Sequence, residues 1–514
     1  MGLDLKTQQR ENLPVYAAAE GYISRIKVEP AGFGRAIYID HPNGFTTVYC
    51  HLNNFTPKLE AYLKEQQYMQ ESWRVFLAIP SGLFPVNKGD FIAYSGNTGG
   101  SQGPHTHFEI RSTAGDVNFN PMLFGFNIPD NTKPAFLRLA IYDRNKSTYE
   151  QAPRIVPVKR TAGDFVTTLP IISVSSSRVS FAITGYDTHS GSSNLNGIYE
   201  AVLYDDDSAV IGFQMDAISY ESTRYLNAHI DYRTKATGGP YLQHLSQLPG
   251  YVNSIYTNFM GDGIIDLSDG GVHAIRIRIR DAYGNTSALS CRIQYNGVLS
   301  SVTTPAGKLF HPLMLDVWES ENCEFYIGEK CLYDAAHIKH LVSVSASAQV
   351  VSDVHTIGET YIPLQDSITI RIRPTIPVEG ERAAKVVMQR VSGAKTDVQK
   401  VEWQGEWAAA KFRDFGRFQL VVDESAPVIV PIGFRNGSVL STSSRIAFTV
   451  KDNLVKFKNV RALLDGEWLR FNNDKGRTFI YQFDEKCPRG AHTLFISAED
   501  EAGNTGTGTY SFTR

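Results

Sequence analysis

The chain has 514 residues, of which 42% are hydrophobic and 20% are charged, and its formal net charge is −3 at pH 7. This charge balance excludes a protein that binds nucleic acid through a large excess of Lys and Arg. No uninterrupted apolar stretch of the sequence is long enough to span a bilayer, and the length suits three or four domains. Short alternating runs rich in Thr, Val, Ile and aromatic residues predict a mainly β protein.

The first part of the chain is a series of predicted strands interrupted by one helix. Residues 14–28, 36–39 and 46–51 carry strand-forming runs, and Asn43-Gly44 between the last two runs favours a tight hairpin turn. A helix is predicted from Pro57 to about Met69, with Thr56 as its cap. Further strands are predicted over residues 74–78, 91–94 and 106–110.

A polar, Pro-containing stretch at residues 127–134 predicts the end of this first domain. Beyond it the chain contains a weak internal repeat. Residues 273–286 match residues 492–505, with the same spacing from His to Asp in both (281 − 273 = 500 − 492 = 8). Residues 176–183 also resemble residues 443–450. We therefore predict two copies of one β module, and its ending resembles the last strands of immunoglobulin-like modules on bacterial surface proteins.

Four polar residues of the first domain are candidates for a metal-dependent site. His105 and His107 lie two residues apart in a predicted strand, so their side chains share a face at a separation of about 6.6 Å. One imidazole is then able to bind a metal ion while the other acts beside it. A bare pair of this kind is also typical of an exposed strand. Here His51 closes another strand, and Asp4 supplies a carboxylate before the first hairpin.

Taken together, the segments Gly2-Leu3-Asp4, Tyr49-Cys50-His51 and His105-Thr106-His107 resemble the motifs of the lysostaphin/LytM-type zinc metalloendopeptidases, metallopeptidase family twenty-three. The resemblance covers nearly all of residues 1–126. It implies that Asp4 and His107 are metal ligands and that His51 and His105 are catalytic residues that do not bind the metal. The implied cofactor is Zn²⁺. The resemblance does not divide the roles of general base and oxyanion stabiliser between the two catalytic histidines.

The family's first motif, His-x-Gly-x-Asp, places one more His ligand directly before Met1. Asp4 and His107 alone give two protein ligands, whereas a catalytic zinc typically has three. A chain that begins at Met1 is therefore expected to bind zinc weakly and to be nearly inactive. We expect the native protein to extend upstream with this His, a first strand and a secretion signal. A protein that naturally lacks the ligand is the alternative.

The predicted architecture is therefore mainly β, with an N-terminal LytM-like β-sheet peptidase domain followed by three β-rich modules of the immunoglobulin-like sandwich type. The boundaries are 1–128 for the peptidase domain lacking its first strand and first ligand, 129–297 for an immunoglobulin-like module with an insertion, 298–422 for a β-rich module, and 423–514 for a second immunoglobulin-like module.

The function that the resemblance implies is hydrolysis of peptide cross-links in bacterial peptidoglycan by a zinc-dependent endopeptidase. The expected location is the periplasm, the cell envelope or the exterior. The expected partners are peptidoglycan peptides, no nucleic acid, and an envelope protein bound through the β modules. One alternative is a catalytically deficient LytM-like envelope protein that binds peptidoglycan or activates another hydrolase. Another is a surface scaffold whose peptidase-like domain is vestigial.

Other polar clusters have simpler interpretations. Cys331, His337 and His340 have metal-like spacing but lack a fourth ligand, so we interpret them as ordinary residues. Cys323 and Cys331 flank a Gly-containing turn, and either one disulfide or two free thiols is compatible with the sequence. The Asp-containing loop at 262–269 does not match the spacing of an EF-hand, so a solvated turn is the favoured interpretation over a calcium site.

Overall fold

The computed structural model describes residues 1–252, 254–298, 305–345, 347–454 and 456–514. Strands make up 48% of the chain and helices 9%, so the predicted mainly β class is confirmed. Among the described residues, no helix combines the length and the apolar character needed to cross a membrane. The chain divides into two compact units, of which the first comprises Met1–Pro121, Glu379–Val387 and Val422–Arg514 and the second Met122–Val378 and Met388–Val421.

The N-terminal domain is a sheet of short strands with one α-helix. Its elements are β1 (Leu3–Lys6), β2 (Pro14–Tyr16), β3 (Gly21–Val28), β4 (Arg35–Asp40), β5 (Phe45–Cys50), β6 (Leu52–Phe55), α1 (Pro57–Met69), β7 (Val75–Ala78), β8 (Pro85–Val86), β9 (Phe91–Ser95), β10 (His105–Ser112) and β11 (Val117–Phe119). The main sheet runs in the order β11-β10-β5-β4-β3-β7, and β1 also pairs with β10. Strands β2, β9 and β6 form a second, smaller sheet.

Helix α1 forms where the sequence predicted it, and it closes the core of this domain. Leu59 and Leu63, one turn apart, are fully buried in the same apolar cluster as the sheet residue Ile37. The prediction that Thr56 caps the helix was wrong, because its side chain makes no capping hydrogen bond. Glu60 Oε1 instead accepts a hydrogen bond from the backbone N–H of Phe55 at 2.7 Å. The long acidic side chain reaches a free N–H before the helix and leaves Thr56 without that role.

The first copy of the repeated module is also dominated by strands. Its elements are β12 (Ala135–Asp143), β13 (Arg154–Arg160), β14 (Phe165–Thr167), β15 (Ile172–Val174), β16 (Arg178–Tyr186), β17 (Glu200–Asp205), β18 (Ser208–Gln214), β19 (Ala217–Ser219), α2 (Leu226–His229), α3 (Tyr232–Ala236), β20 (Gln243–His244), β21 (Tyr256–Asn258), β22 (Ile265–Asp266), β23 (Val272–Arg280) and β24 (Thr286–Tyr295). The repeated segment 273–286 spans β23 and the turn to β24.

The next stretch of the chain contains a five-stranded sheet in the order β26-β27-β31-β35-β34. The elements of this stretch are β25 (Lys308–Phe310), β26 (Asp316–Glu319), β27 (Cys323–Ile327), β28 (Ala336–Ile338), β29 (His340–Ser343), β30 (Val354–Ile357), β31 (Pro363–Ile372), α4 (Gly380–Ala384), β32 (Val386–Ser392), β33 (Lys395–Lys400), β34 (Glu402–Gln404), β35 (Trp407–Asp414) and β36 (Gly416–Val422). All five cysteines of the chain are buried and free, so Cys323 and Cys331 are not joined in this structure.

The C-terminal module has two sheets, β37-β39-β42 and β38-β44-β43-β40-β41, around a shared apolar core. Its strands are β37 (Val428–Ile432), β38 (Ser438–Val439), β39 (Arg445–Lys451), β40 (Phe457–Leu464), β41 (Glu467–Trp468), β42 (Phe479–Gln482), β43 (Ala491–Asp500) and β44 (Thr505–Thr513). The second repeated segment, 492–505, spans β43 and the turn to β44. Both repeated segments therefore occupy the same kind of hairpin, whereas the division of the chain into four parts stays a prediction.

Candidate metal centre

Strand β10 brings the predicted site residues together because it pairs with a different strand on each edge. On one edge β1 runs antiparallel to it, and the register sets Asp4 opposite His107. On the other edge β5 pairs with it, and the register sets Cys50 opposite His107. His51 directly follows Cys50 in the chain and therefore lies close to His107. Residues from three distant segments of the sequence thus lie close together.

The four predicted residues lie within a few ångströms of one another. His107 Nδ1 is 2.8 Å from Asp4 Oδ1, and His105 Nε2 is 3.7 Å from the same oxygen. The imidazole centroid of His51 is 4.7 Å from that of His105 and 6.0 Å from that of His107. Nδ1 of His107 and Oδ1 of Asp4 therefore face each other. An imidazole nitrogen and a carboxylate oxygen are both typical zinc ligands.

The second imidazole nitrogen of His107 is held by an acidic residue that the sequence analysis missed. His107 Nε2 is 2.9 Å from Glu109 Oε1, and Glu109 Oε2 accepts a hydrogen bond from Arg111 Nε at 2.7 Å. Glu109 is only 4% exposed and Arg111 only 3%. A carboxylate on the far nitrogen of a histidine fixes the ring for metal binding. The signal was present in the sequence, because Glu109 lies two residues beyond His107 on the same face of the strand.

The charges around His107 favour a cation in this position. Burial opposes the charged form of His107, but its hydrogen bonds with Glu109 and Asp4 outweigh burial and raise its pKa. Burial likewise opposes the charged form of Glu109, but hydrogen bonding to His107 and the charge of Arg111 hold the pKa of this carboxyl below its usual value. Metal binding replaces a proton on a ligand atom. The residues therefore fit a metal cation bound to Nδ1 of His107 and to the Asp4 carboxylate.

The other two histidines are oriented by one loop, which we call the positioning loop (residues 96–104). His51 Nδ1 donates a hydrogen bond to the Thr98 carbonyl oxygen at 2.9 Å. His105 Nδ1 donates to the Gly103 carbonyl oxygen at 2.8 Å and lies 3.1 Å from Ser101 Oγ. Because Nδ1 is the donor in both rings, the Nε2 atom of each ring is the one available for chemistry.

His51 has two further features of a functional residue. Its φ angle is +61°, in the left-handed region that costs free energy for a residue with a side chain. Burial lowers the pKa of His51, and the hydrogen bond to the Thr98 carbonyl only partly offsets this effect. The lowered pKa favours the neutral form of His51, which is the form that accepts a proton.

Gly2 occupies a position where no side chain fits. A Cβ atom built on Gly2 would lie 2.5 Å from Cε1 of the His107 imidazole and 3.0 Å from the carbonyl oxygen of Phe108. The close approach of β1 to the His107 ring therefore requires glycine. This contact explains why the motif that carries Asp4 also contains a Gly two residues before it.

The positioning loop also contacts the C-terminal module, which belongs to the same compact unit. Asp474 Oδ1 accepts a hydrogen bond from the backbone N–H of Gly99 at 2.8 Å. Lys475 Nζ donates to the Ser101 carbonyl oxygen at 2.7 Å. These two residues lie in a short turn, Asp474–Gly476, between β41 and β42. The sequence analysis assigned no role to this turn.

The metal-like trio that the sequence analysis set aside has no common centre in the structure. Each side chain has a different partner: the Cys331 thiol contacts the Ser367 carbonyl oxygen, His337 contacts Glu150, and His340 contacts His355. Their interpretation as ordinary residues rests on these separate contacts.

Comparisons with known proteins point to the same part of the chain. Residues 1–71 match the family described as Peptidase family M23, and residues 308–423 match a Zu5-like domain. An uncharacterized metalloprotease of Haemophilus influenzae is 32% identical over 117 residues, which are 23% of this chain and 19% of that protein. The DD-carboxypeptidase/endopeptidase Mpg of Neisseria meningitidis is 28% identical over 163 residues, 32% of this chain and 31% of that protein.

Among solved structures, the catalytic domain of lysostaphin from Staphylococcus simulans is 24% identical, with 22% of this chain and 71% of that chain covered at a TM-score of 0.17. The catalytic domain of the M23 protein EnpA from Enterococcus faecalis is 18% identical, with coverages of 23% and 72% and a TM-score of 0.16.

The matches support a metallopeptidase or peptidase kind for the N-terminal part of the chain, and this kind implies a metal ion. Its predicted resemblance to the lysostaphin/LytM-type peptidases, peptidase family M23, is confirmed by the family match and by the names of the relatives. The chain spans about a fifth of the Haemophilus relative and about a third of the Neisseria relative.

Proposed function

We propose that the N-terminal domain is a zinc endopeptidase domain that hydrolyses peptide cross-links of bacterial peptidoglycan. The observation that carries the proposal is the arrangement around His107. Its Nδ1 atom lies 2.8 Å from Asp4 Oδ1, while its Nε2 atom is held by the buried Glu109. An imidazole nitrogen and a carboxylate oxygen are ligands typical of catalytic zinc, and the carboxylate behind the imidazole is the usual supporting partner.

The ligand set has a defined gap. Asp4 and His107 supply two donors, whereas a catalytic zinc usually has three protein ligands and one position for water. Gly2 and Asp4 occupy the third and fifth positions of the family motif, so its first position falls directly before Met1. We call a chain with a His placed at that position the His-extended chain. It is expected to complete the ligand set.

The remaining residues have roles that follow from their orientation. Bound zinc would lower the pKa of a water molecule to about 7 and polarise the scissile carbonyl group. His51 and His105 both present Nε2, because their Nδ1 atoms donate to backbone carbonyl oxygens. One of them accepts the proton of the attacking water at Nε2, and the other, when it is protonated at both nitrogens, donates a hydrogen bond from Nε2 to the developing oxyanion. The two roles remain interchangeable between these histidines in the proposal.

The substrate and the location are inferred from the relatives. The Neisseria relative is named as a DD-carboxypeptidase and endopeptidase, and the resemblance to the lysostaphin/LytM-type peptidases implies the proposed substrate, the peptides of peptidoglycan. The proposed location is the periplasm, the cell envelope or the exterior. The β modules would hold the domain at the envelope, where an envelope protein would be their partner.

The second candidate function is that of a catalytically deficient relative that binds peptidoglycan or activates another hydrolase. It applies if the residue that precedes Met1 in the native protein is not His, because the site then keeps only Asp4 and His107 as metal ligands. Mass spectrometry of the N-terminal peptide from source cells distinguishes the two candidates.

The direct test uses the His-extended chain. After dialysis against zinc-free buffer it is expected to retain about one zinc per chain by elemental analysis and to release new amino groups from purified peptidoglycan. The His107→Ala variant of this chain is expected to lose both properties. The His311→Ala variant, altered at an exposed histidine, is the matched control. Absence of zinc from the His-extended chain would overturn the metal site. Zinc binding without amino-group release would favour the second candidate.

A further inference from the structure

Both copies of the repeated module contain a cluster of aspartates beside the last hairpin. In the C-terminal module, carboxylate oxygens of all three members lie within 4.8 Å of one another: Asp423, Asp452 and Asp500. In the first copy, ligand atoms of Asp130, Asp187 and His189 lie within the same distance, and the charge of Asp281 acts on Asp187. We call these groups of Asp residues the two aspartate clusters: Asp130, Asp187 and Asp281 in one, and Asp423, Asp452 and Asp500 in the other.

The members of the two aspartate clusters occupy equivalent positions in the fold. Asp187 directly follows β16, and Asp452 directly follows β39, the strand that corresponds to β16 in the repeat. Asp281 directly follows β23, and Asp500 is the last residue of β43. The sequence repeat, which matched both the last hairpins and these two strands, therefore includes the aspartates that follow the strands.

In each copy, an Asn in the turn of the last hairpin donates hydrogen bonds to two members of the cluster, the Asp of the hairpin and the first Asp of the module. Asn504 Nδ2 donates to Asp500 Oδ2 at 2.7 Å and to the Asp423 carbonyl oxygen at 2.7 Å. In the first copy, Asn285 Nδ2 donates to Asp281 Oδ2 at 2.7 Å. The same amide also donates to the carbonyl oxygen of Asp130 at 3.3 Å. The whole arrangement is thus a property of the module and occurs twice.

One carboxylate oxygen in each cluster is buried without a hydrogen-bond partner. Among the described residues, Oδ1 of Asp187 and Oδ1 of Asp452 have none. Asp187 is only 4% exposed, and Asp423 and Asp500 are each only 1% exposed. A buried, unpaired carboxylate oxygen is costly unless a ligand satisfies it. Because the equivalent oxygen is unsatisfied in both copies, we expect each copy to bind a ligand of the same kind.

The electrostatics indicate that this ligand is a cation. Burial and the nearby carboxylates of Asp281 and Asp130 raise the pKa of Asp187 to about 6. Burial and the carboxylates of Asp423 and Asp500 likewise raise the pKa of Asp452. In each cluster the neighbouring carboxylates therefore oppose ionisation of the middle Asp, and a bound cation would relieve this repulsion.

We propose that each aspartate cluster binds one calcium ion. Ca²⁺ takes six to eight oxygen ligands in irregular geometry, which three carboxylates, nearby backbone carbonyl oxygens and water are able to supply. Mg²⁺ requires near-octahedral geometry, and Zn²⁺ prefers nitrogen and sulfur donors. His189 is not counted as a ligand, because Ca²⁺ takes oxygen ligands; its Nδ1 atom lies 3.2 Å from Asp130 Oδ2. The ions would bind the start of each module to its last hairpin. This proposal is independent of the peptidase function.

The test is a calcium titration of the full chain after removal of divalent ions with EGTA. Calorimetry with calcium chloride is expected to show about two sites per chain, and saturating calcium is expected to raise the thermal unfolding midpoint. Asp187→Asn and Asp452→Asn are each expected to remove one of the two sites. The control is Asp207→Asn, whose carboxylate lies in a hairpin turn with 95% of its side chain exposed.

The variants also carry their own folding control. Replacing Asp with Asn removes one repelling charge, so in EGTA each variant is expected to unfold at the same temperature as the parent chain or higher. The proposal is overturned if the parent chain binds no calcium, or if the variants keep two sites. It is also overturned if calcium stabilises the variants as much as the parent, or if magnesium chloride at equal concentration gives the same stabilisation. Failure of the peptidase assay has no bearing on these results.

Discussion

Asp474 Oδ1 accepts a hydrogen bond from the backbone N–H of Gly99 at 2.8 Å, so a residue of the C-terminal module supports the positioning loop of the N-terminal domain. The residue before Gly99 is Thr98, whose carbonyl oxygen accepts the hydrogen bond from His51 Nδ1. The N–H group that Asp474 binds and the carbonyl group that orients a proposed catalytic histidine therefore belong to the same peptide unit.

The first prediction is that Asp474→Ala slows peptide hydrolysis by the His-extended chain. Loss of one hydrogen bond, worth about 1 kcal/mol net, would loosen the positioning loop and lower kcat about fivefold. Zinc affinity is expected to stay unchanged, because Asp4 and His107 do not contact Asp474. The measurements are kcat on peptidoglycan peptides and zinc affinity by competition with a chromophoric chelator.

The matched control removes a different contact between the N-terminal domain and the C-terminal module. Lys64 Nζ donates to Asp484 Oδ2 at 2.7 Å, away from the positioning loop. Lys64→Met is expected to leave kcat unchanged. Equal losses in the Lys64 and Asp474 variants would mean that docking of the whole module matters, and an unchanged kcat for Asp474→Ala would remove the role of this hydrogen bond.

The second prediction is that Glu109→Gln weakens zinc binding by the His-extended chain about tenfold to a hundredfold, the usual effect of losing the carboxylate behind a ligating histidine. The side chain keeps its size and an acceptor oxygen, but it loses the charge that polarises His107. Zinc affinity by competition checks this, and thermal unfolding without zinc reports the separate effect on Arg111. Glu65→Gln, on the exposed side of α1, is the control. Equal zinc affinity in the parent and Glu109→Gln chains would contradict the supporting role.

The third prediction concerns the space beside His107. Gly2→Ala places a Cβ atom 2.5 Å from the His107 imidazole, which has carboxylates at both nitrogens and little freedom to move. The ring or β1 must shift, and zinc affinity of the His-extended chain is expected to fall about tenfold or more, as when ligand orientation is lost. Leu5→Ala changes an exposed side chain of the same strand and serves as control. An unaltered affinity of the Gly2 variant would show that β1 tolerates the displacement.

The fourth prediction is that acid destabilises the chain through two buried histidines. Burial, with the charge of His244 beside it, lowers the pKa of His229 to about 3, and burial lowers the pKa of His244 to about 4. Unfolded histidines titrate at about 6.5. Between these values the unfolded state binds more protons, so this stability is present above about pH 6.5 and is lost as the pH falls toward 4.

Circular dichroism melts between pH 7 and pH 5 measure this effect. The unfolding midpoint is expected to decrease as the pH is lowered from 7 to 5. The decrease in midpoint is expected to be smaller in His229→Gln than in the parent chain, whatever the midpoint of the variant at pH 7. His311→Gln, at an exposed position, is expected to show the parental fall. A His229 variant with the same pH dependence as the parent chain would show that other groups cause the acid sensitivity.

The sequence by itself determined the strand content and helix α1, and it supplied the hypothesis for the site residues. Alternation with a period of two predicts strands, and the same period places His105 and His107 on one face. Applied one step further, it would also have found Glu109. The repeated hairpins were visible in the sequence because both copies have the same alternating strand followed by the same polar turn. Such a pattern can be read from the sequence because it depends on residues that are neighbours along the chain.

The tertiary structure alone decided which distant residues meet. Asp4 faces His107 only because β1 pairs with β10 in one register, across 103 positions of the chain. Asp474 reaches Gly99 across 375 positions through a backbone N–H, a donor that nearly every residue type carries. The middle aspartate of each aspartate cluster joins the hairpin in the same way. Such contacts leave no periodic signal, because they arise from strand pairing and packing of the folded chain.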